Sequence, residues 1–249
     1  MFIISDYGRI YKIGLLNIAM KKDVIVISLG GSMIFKNNEI NIKFLRNFKK
    51  LILKHSKKHK FIIVCGGGSV ARMYIGGLKK QGMSEKLQSF AGISVTRTNA
   101  RFMSYFFGND QMEGIPSTIN GVKEMIKKQD IVFCGALEYH PNQTSDTTSA
   151  QIAEEFEADF INITNVSGLH DKNPLEHKDA KFIPQITWGN FYKVALKMKF
   201  SPGQHFVLDQ KAAKIIMDNK ITTYIVGSNI NNLDNLLNSR RFTGTIIEG

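Results

Sequence analysis

An α/β fold, a three-layer arrangement with a mostly parallel central sheet sandwiched by helices, is what the 249 residues predict, and three observations carry it. Short apolar runs of strand length alternate with segments of helical periodicity. Two of those runs, residues 23–29 and 61–65, stop at glycine clusters, Gly30-Gly31-Ser32 and Gly66-Gly67-Gly68, which read as tight turns into helices. The runs are continuously apolar rather than alternating, as expected of parallel strands covered on both faces. No Pro- or Ser-rich linker, internal repeat or low-complexity segment divides the chain.

Residues 1–22 read as an N-terminal extension, because the first strong strand starts at 23 and Met20, ahead of Lys21-Lys22-Asp23, is a natural start. Asp6, Arg9 and Lys12, with no small-residue cleavage pattern, make this stretch a poor signal peptide. The strand 23–29 leads through the turn 30–32 to an amphipathic helix over 41–59, where Phe44, Leu45, Phe48, Leu51, Ile52 and Leu53 interleave with six lysines and Arg46, Lys60 following just beyond. A strand at 61–65 and a helix from 68 follow, which the glycines at 76–77 or 82 are expected to end. Residues 84–107 read as one or two helices, with Val95, Ala100, Met103 and Phe106 on apolar faces and Thr96-Arg97-Thr98-Asn99 as a polar interruption. The apolar stretch 102–107 fits core or interface, core being the commoner fate. A helix at 121–128 and a buried strand at 130–134 precede a polar loop, 138–148. That loop enters a helix over 147–156, with Ser145 or Asp146 as its cap. The remainder reads as a strand 160–166, a loop 170–181, a flexible basic segment 195–203, a helix 207–219, a strand 222–226, a helix 233–238 and a last strand 245–248.

The formal net charge of +12 suits anionic ligands, although much of it is the solvated face of the 41–59 helix. No RNA-recognition or zinc-finger pattern points to nucleic acid, and no apolar run is long enough for a membrane span. Two cysteines, Cys65 and Cys134, each end a strand before glycine and read as small buried residues in a reducing, cytoplasmic compartment. The six histidines show no metal-ligand spacing.

Glycine turns that open helices favour an anion, phosphate first, because free N–H groups face the ligand and no Cβ obstructs its approach. A turn of this kind also serves as a mere connection, so the pairing of two such turns on neighbouring strands is the stronger signal. Arg72, about one turn into the helix after the second cluster, has a planar fork suited to phosphate oxygens; it equally fits a solvated surface position. His140, in a polar loop beside Pro141, fits a phosphate or base contact as well as a structural role.

In chain order, Gly30-Gly31-Ser32, Gly66-Gly67-Gly68, Ser145-Asp146 and Asn165-Val166-Ser167-Gly168 resemble the amino-acid kinase superfamily. Within it, the stretches 66–72 and 92–100, His140-Pro141 and the stretch 208–216 are similar to the archaeal-type uridylate (UMP) kinases. The resemblance spans about 23–248. It implies transfer of the γ-phosphoryl of ATP to UMP, giving UDP, with magnesium, in a cytoplasmic homo-oligomer, dimer or hexamer.

It also implies a single domain over 23–249, with an acceptor-binding lobe at about 23–150 and an ATP-binding lobe at about 151–249. Asp146 and Arg72 carry the implied catalytic roles. Implied ATP contacts are Gly31, Ser32, Gly68, Arg72, Thr164, Asn165, His170 and Asn173. Implied UMP contacts are Gly67, Ser89, Tyr139, His140, Pro141, Asn142, Gln143, Thr144 and Ser145, and no protein metal ligand is implied.

The chain departs from the pattern in places. Ser28 and Ser201 stand where lysines are usual, with Lys197 or Lys199 as replacements if the loop is shifted. Ser89 stands for an acidic residue, and His170 and Asn173 for a tyrosine and an aspartate. Two other functions follow from those departures: a kinase of the same fold with another acceptor, such as isopentenyl phosphate or an acyl amino acid, and a nucleotide- or oxyanion-binding relative with little or no catalysis.

Overall fold

Val24-Ile25-Val26-Ile27 is a run of β-branched side chains, stiff at χ1 and suited to a pleated, buried surface, and it builds the central strand. The computed structural model describes residues 3–4, 10–11, 24–36, 39–109, 114–141, 143–172, 174, 176–197 and 208–249. Its seven-stranded sheet contains β1 (Val24–Leu29), β2 (Lys60–Cys65), β3 (Ile131–Cys134), β4 (Asp159–Ile163), β5 (Gln185–Ile186), β6 (Thr223–Val226) and β7 (Thr245–Ile247). The spatial order is β5-β7-β6-β4-β1-β2-β3. Strands β6, β4, β1, β2 and β3 run parallel, whereas β7 is antiparallel to β6 and carries β5 in its own direction. Among the described residues, three two-residue antiparallel ladders lie outside the sheet: 3–4 with 10–11, 35–36 with 39–40, and 169–170 with 182–183.

The helices are α1 (Gly31–Ile34), α2 (Ile42–His55), α3 (Gly68–Lys80), α4 (Glu85–Phe107), α5 (Ile119–Lys128), α6 (Ser145–Glu155), α7 (Trp188–Leu196), α8 (Gln210–Asp218) and α9 (Ile230–Leu237). Side chains alternate across β1 and divide the core in two. Ile25, Ile27 and Leu29 pack with Phe48 of α2, Met103 of α4 and Leu236 of α9. Val26 packs on the other face with Ile126 of α5, Ala150 of α6, Phe191 of α7 and Ala213 of α8. By the same alternation Ser28, next after Ile27, shares Val26's face and looks toward α6. Among the described residues no helix is long and apolar enough to cross a membrane.

Several expectations are corrected. Of the two ends expected for helix α3 the second is found: it runs through Gly76-Gly77 to Lys80, and the chain leaves it at Gly82, where φ is +74°. Each mid-helix glycine costs about 1 kcal/mol against alanine, an amount the packing of α3 on α4 offsets. Residues 84–107 form one helix, with Ser84 accepting from the Leu87 N–H at its start and left-handed Gly108 closing it. Its expected polar interruption is instead buried at Thr96 and Asn99. In the 102–107 stretch Phe102, Phe106 and Phe107 pack against the core, while Tyr105 is exposed.

The turn at 30–32 becomes the single helical turn α1, and His170 lies in a two-residue strand rather than a loop. Residues 195–197 are not a flexible segment: helix α7 extends to Leu196, held by buried Phe191 and Ala195 and by the Trp188 indole donating to the Ile221 carbonyl at 2.9 Å. The rest of that segment, with Lys199 and Ser201, lies outside the described residues. Helix α6 starts at Ser145 and is capped by Thr144, whose hydroxyl accepts from the Asp146 N–H.

Candidate active site

Parallel strands deliver their carboxyl ends to one edge of the sheet, so the loops after β1, β2, β3 and β4 gather there. The chain builds outward from β1 to β2 and β3, then places β4 on the opposite side of β1. Loops on either side of that reversal diverge and leave a crevice, the usual ligand position in such sheets. The cleft found there holds about 600 Å³. Gly30 to Ser32, Gly66 to Gly68, Ala136, Glu138 to His140, and Thr164 with Asn165 line it.

The two glycine turns touch backbone to backbone. The Gly30 N–H donates to the Ile163 carbonyl at 3.2 Å and the Gly66 N–H to the Leu29 carbonyl at 2.9 Å. Gly68 has φ +63°, and a Cβ on Gly31 would come within 2.1 Å of the Gly68 nitrogen. Only glycine permits that approach. Neither α1 nor α3 has a side-chain cap at its N-terminus, so no capping side chain takes up their first N–H groups beside the cleft.

Two carboxylates form the floor. Asp209, almost fully buried, caps α8 by accepting from the Ala212 N–H at 2.8 Å and also accepts from the Thr147 N–H at 3.2 Å, the Thr147 hydroxyl and the Thr144 hydroxyl. One carboxylate thus serves the N-termini of α6 and α8, where the helix dipoles favour negative charge. Asp146 keeps some exposure to the cleft, and its Oδ1 accepts from the buried Ser28 hydroxyl at 2.9 Å. Burial of its carboxyl, then the neighbouring Asp209 carboxylate, push it from 3.8 up to about 7, against the lowering effect of Ser28. A lysine at position 28 would pull the other way; serine leaves the acid held by one neutral hydrogen bond.

Because the folded state holds the Asp146 proton more tightly than the unfolded chain, the contribution is fully present below pH 3.8 and is lost as pH rises through about 7. Asp146→Asn is expected to flatten that part of the profile. Urea midpoints measured from pH 4 to 8 check it: equal slopes in the two proteins would show that Asp146 ionises normally.

The walls carry the remaining candidates. Ser89, Tyr139, His140, Gln143, Thr144 and Ser145 line the cleft with Gly67; the Tyr139 ring meets Phe90 of α4 edge-on, centroids 5.1 Å apart. Opposite them lie Thr164, Asn165 and His170, whose Nδ1 is 3.1 Å from the Gly168 carbonyl and whose ring meets Phe182. Pro141 is not among the lining residues; its carbonyl accepts from Lys211 at the exposed rim. Asn142 and Asn173 lie outside the described residues.

Arg72 lines the mouth, and among the described residues no hydrogen bond or ion pair engages its guanidinium. Lys197 also lines the wall, whereas Lys172 is paired with Asp179. Sequence reasoning gave no role to Asp209, to the Thr96–Asn99 stretch or to Glu138, which also lines the cleft. An aspartate immediately before Gln210-Lys211-Ala212 could have marked the cap; nothing local marks its reach to Thr144 and Thr147.

The Amino acid kinase family profile matches residues 23–227. The chain is 34% identical to a uridylate kinase of Thermoplasma volcanium over 226 residues, covering 90% of this chain and 97% of that one. It is 32% identical to a uridylate kinase of Thermococcus kodakarensis, covering 82% and 89%. The crystal structure of uridylate kinase from Archaeoglobus fulgidus superposes with a TM-score of 0.76 at 30% identity, covering 90% of this chain and 99% of that one. A UMP kinase structure from Ureaplasma parvum, at 23% identity and a TM-score of 0.72, shares the fold.

Proposed function

The chain belongs to the amino acid kinase family, and from that membership and the geometry of its cleft we propose that it transfers the γ-phosphoryl of ATP to UMP, giving ADP and UDP. The observation that carries the reading is the contact of two glycine turns, Gly31 against Gly68, in one cleft with Arg72, which is unpaired among the described residues. Phosphoryl transfer asks for little covalent chemistry from the protein; it needs alignment of the two phosphates and neutralisation of spreading charge. As the bond from γ-phosphorus to the ADP oxygen breaks, one forms from a UMP phosphate oxygen. Backbone N–H groups of Gly31, Ser32 and Gly68 and the Arg72 fork face the oxygens that gain charge. Thr164, Asn165 and His170 hold ATP on the β4 side, and Gly67, Ser89 and the loop from Tyr139 to Ser145 hold UMP on the β3 side.

Magnesium fits this floor as an ion carried chiefly by the phosphates. Among the described residues no group of three ligating side chains could hold a metal alone, while Asp146 beside Asp209 is short of a positive partner. When bound, the ion neutralises phosphate charge; Asp146 orients the cationic groups around it. Cytoplasmic location and assembly as a dimer or hexamer are part of the same reading. The relatives described above carry uridylate kinase names, and no observation in the cleft favours another acceptor. A coupled assay of ADP release with Mg-ATP and a panel of nucleoside monophosphates tests it. Turnover with UMP that disappears in Asp146→Asn is expected; ATP binding without turnover on any monophosphate would overturn it.

A further inference from the structure

Helix α4 places three polar side chains against the loops of the cleft, and two of them, Thr96 and Asn99, are buried. The Thr96 hydroxyl accepts from the Ala136 N–H at 2.9 Å. Arg97 Nε donates to the Ala136 carbonyl at 3.0 Å, and its Nη2 donates to the Leu137 carbonyl. Asn99 Nδ2 donates to the Gly66 carbonyl at 2.8 Å. The loop lies on the helix backbone itself, since a Cβ on Gly135 would come within 2.5 Å of the Arg97 nitrogen. Among the described residues β3 is the sheet edge, with no further strand beside it to take up the carbonyls that follow it; Arg97 supplies the donors a neighbouring strand would otherwise supply. One helix thereby grips the start of the loop leading to Tyr139 and His140, and also the second glycine turn.

We propose that Arg97 is a positioning residue for the phosphoryl acceptor. Through the Ala136 and Leu137 carbonyls it fixes the acceptor loop in register with the glycine turns, without touching substrate itself. Its planar fork spans two successive carbonyls, which a lysine's single ammonium cannot do in the same geometry. The inference rests on reading the loop from Tyr139 to Ser145 as the UMP side of the cleft.

Arg97→Ala and Arg97→Lys are compared with the unaltered protein by steady-state kinetics and by amide hydrogen exchange. Arg97→Ala is expected to raise KM for UMP by about tenfold, the worth of one charge-assisted hydrogen bond, with KM for ATP changed less than twofold; Arg97→Lys falls between. Exchange is expected to quicken over residues 134–141 and to stay unchanged over 60–65. If Arg97→Ala does not fold, Arg97→Lys carries the same comparison. Equal increases in both KM values, or unchanged exchange over 134–141, would overturn the proposal. Faster exchange there, in a protein that turns over no UMP even unaltered, would leave the grip of Arg97 on the loop standing, remove its assignment to an acceptor, and count against the kinase reading instead.

Discussion

Replacing Arg72 with alanine is expected to lower kcat about 10²–10³-fold, the usual loss when one donor to a charge-developing oxygen is removed. The size of the effect follows from what else the cleft offers. Ser28 contributes a neutral hydroxyl to the floor, Lys172 is engaged by Asp179, and Lys197 stands on the far wall. Among the described residues few cations are therefore left to neutralise the phosphates, and Arg72 lines the same cleft as the glycine turns with its guanidinium unpaired. The same freedom predicts that stability barely moves, by no more than about 0.5 kcal/mol, because no internal bond is broken. Arg72→Lys should recover only part of the rate, since a point charge cannot bind two oxygens in a fork. Saturating kinetics beside a urea melt separate the two effects; an unchanged kcat, or equal losses of rate and stability, would show that Arg72 is an ordinary surface or structural arginine.

Gly31→Ala is expected to damage fold as well as rate, lowering activity by at least about 100-fold and stability by about 1–3 kcal/mol. The added methyl carbon would meet the Gly68 nitrogen at 2.1 Å, Gly68 Cα at 2.4 Å and the Gly67 carbonyl carbon at 2.7 Å. All three are backbone atoms, so no side chain can swing aside and the two turns must separate. Separation by an ångström disturbs every N–H aimed at phosphate. Gly76→Ala is the matched control: nothing lies within 4 Å of the new methyl in α3, and stability should rise by about 0.5–1 kcal/mol. Normal activity in Gly31→Ala would mean that the turns do not meet as described.

Much of this architecture is legible in the sequence because it depends on local chemistry. The β-branched run at 24–27 needs no partner to be recognised as a strand, and a glycine cluster at its end announces a turn wherever the strand lies. What escapes is chemistry whose meaning depends on a distant partner. Thr96, Arg97 and Asn99 look like a solvated break in a helix until the loop after β3 is laid across them. Asp209, expected inside a helix over 207–219, instead caps one that starts at Gln210, and its hydrogen bonds to Thr144 and Thr147 join residues more than 60 positions apart. Helix α7 was missed for another reason. Its apolar residues, Trp188, Phe191, Tyr192, Val194, Ala195 and Leu196, are many, but Gly189 and Lys193 interrupt them, and the core beneath Phe191 and Ala195 makes the pattern count. The glycines at 76–77 misled in the opposite direction, since a helix packed along its length tolerates what an isolated one would not.

The Ser28–Asp146 pair has a consequence for the thermodynamics of ligand capture. A carboxyl pushed up to about 7 is shared between its two forms at neutral pH, and positive charge arriving with a nucleotide favours the ionised form. A cation that pairs with Asp146 on capture is then expected to expel part of that proton into solvent near neutral pH, an exchange that fades as pH rises and the free protein loses the proton on its own. Calorimetric titrations in buffers of differing ionisation enthalpy should give different apparent heats for one and the same association, and Asp146→Asn should make those heats coincide. The chain that put serine where a cation would stand has, by this account, made its affinity for nucleotide answer to pH in the neutral range.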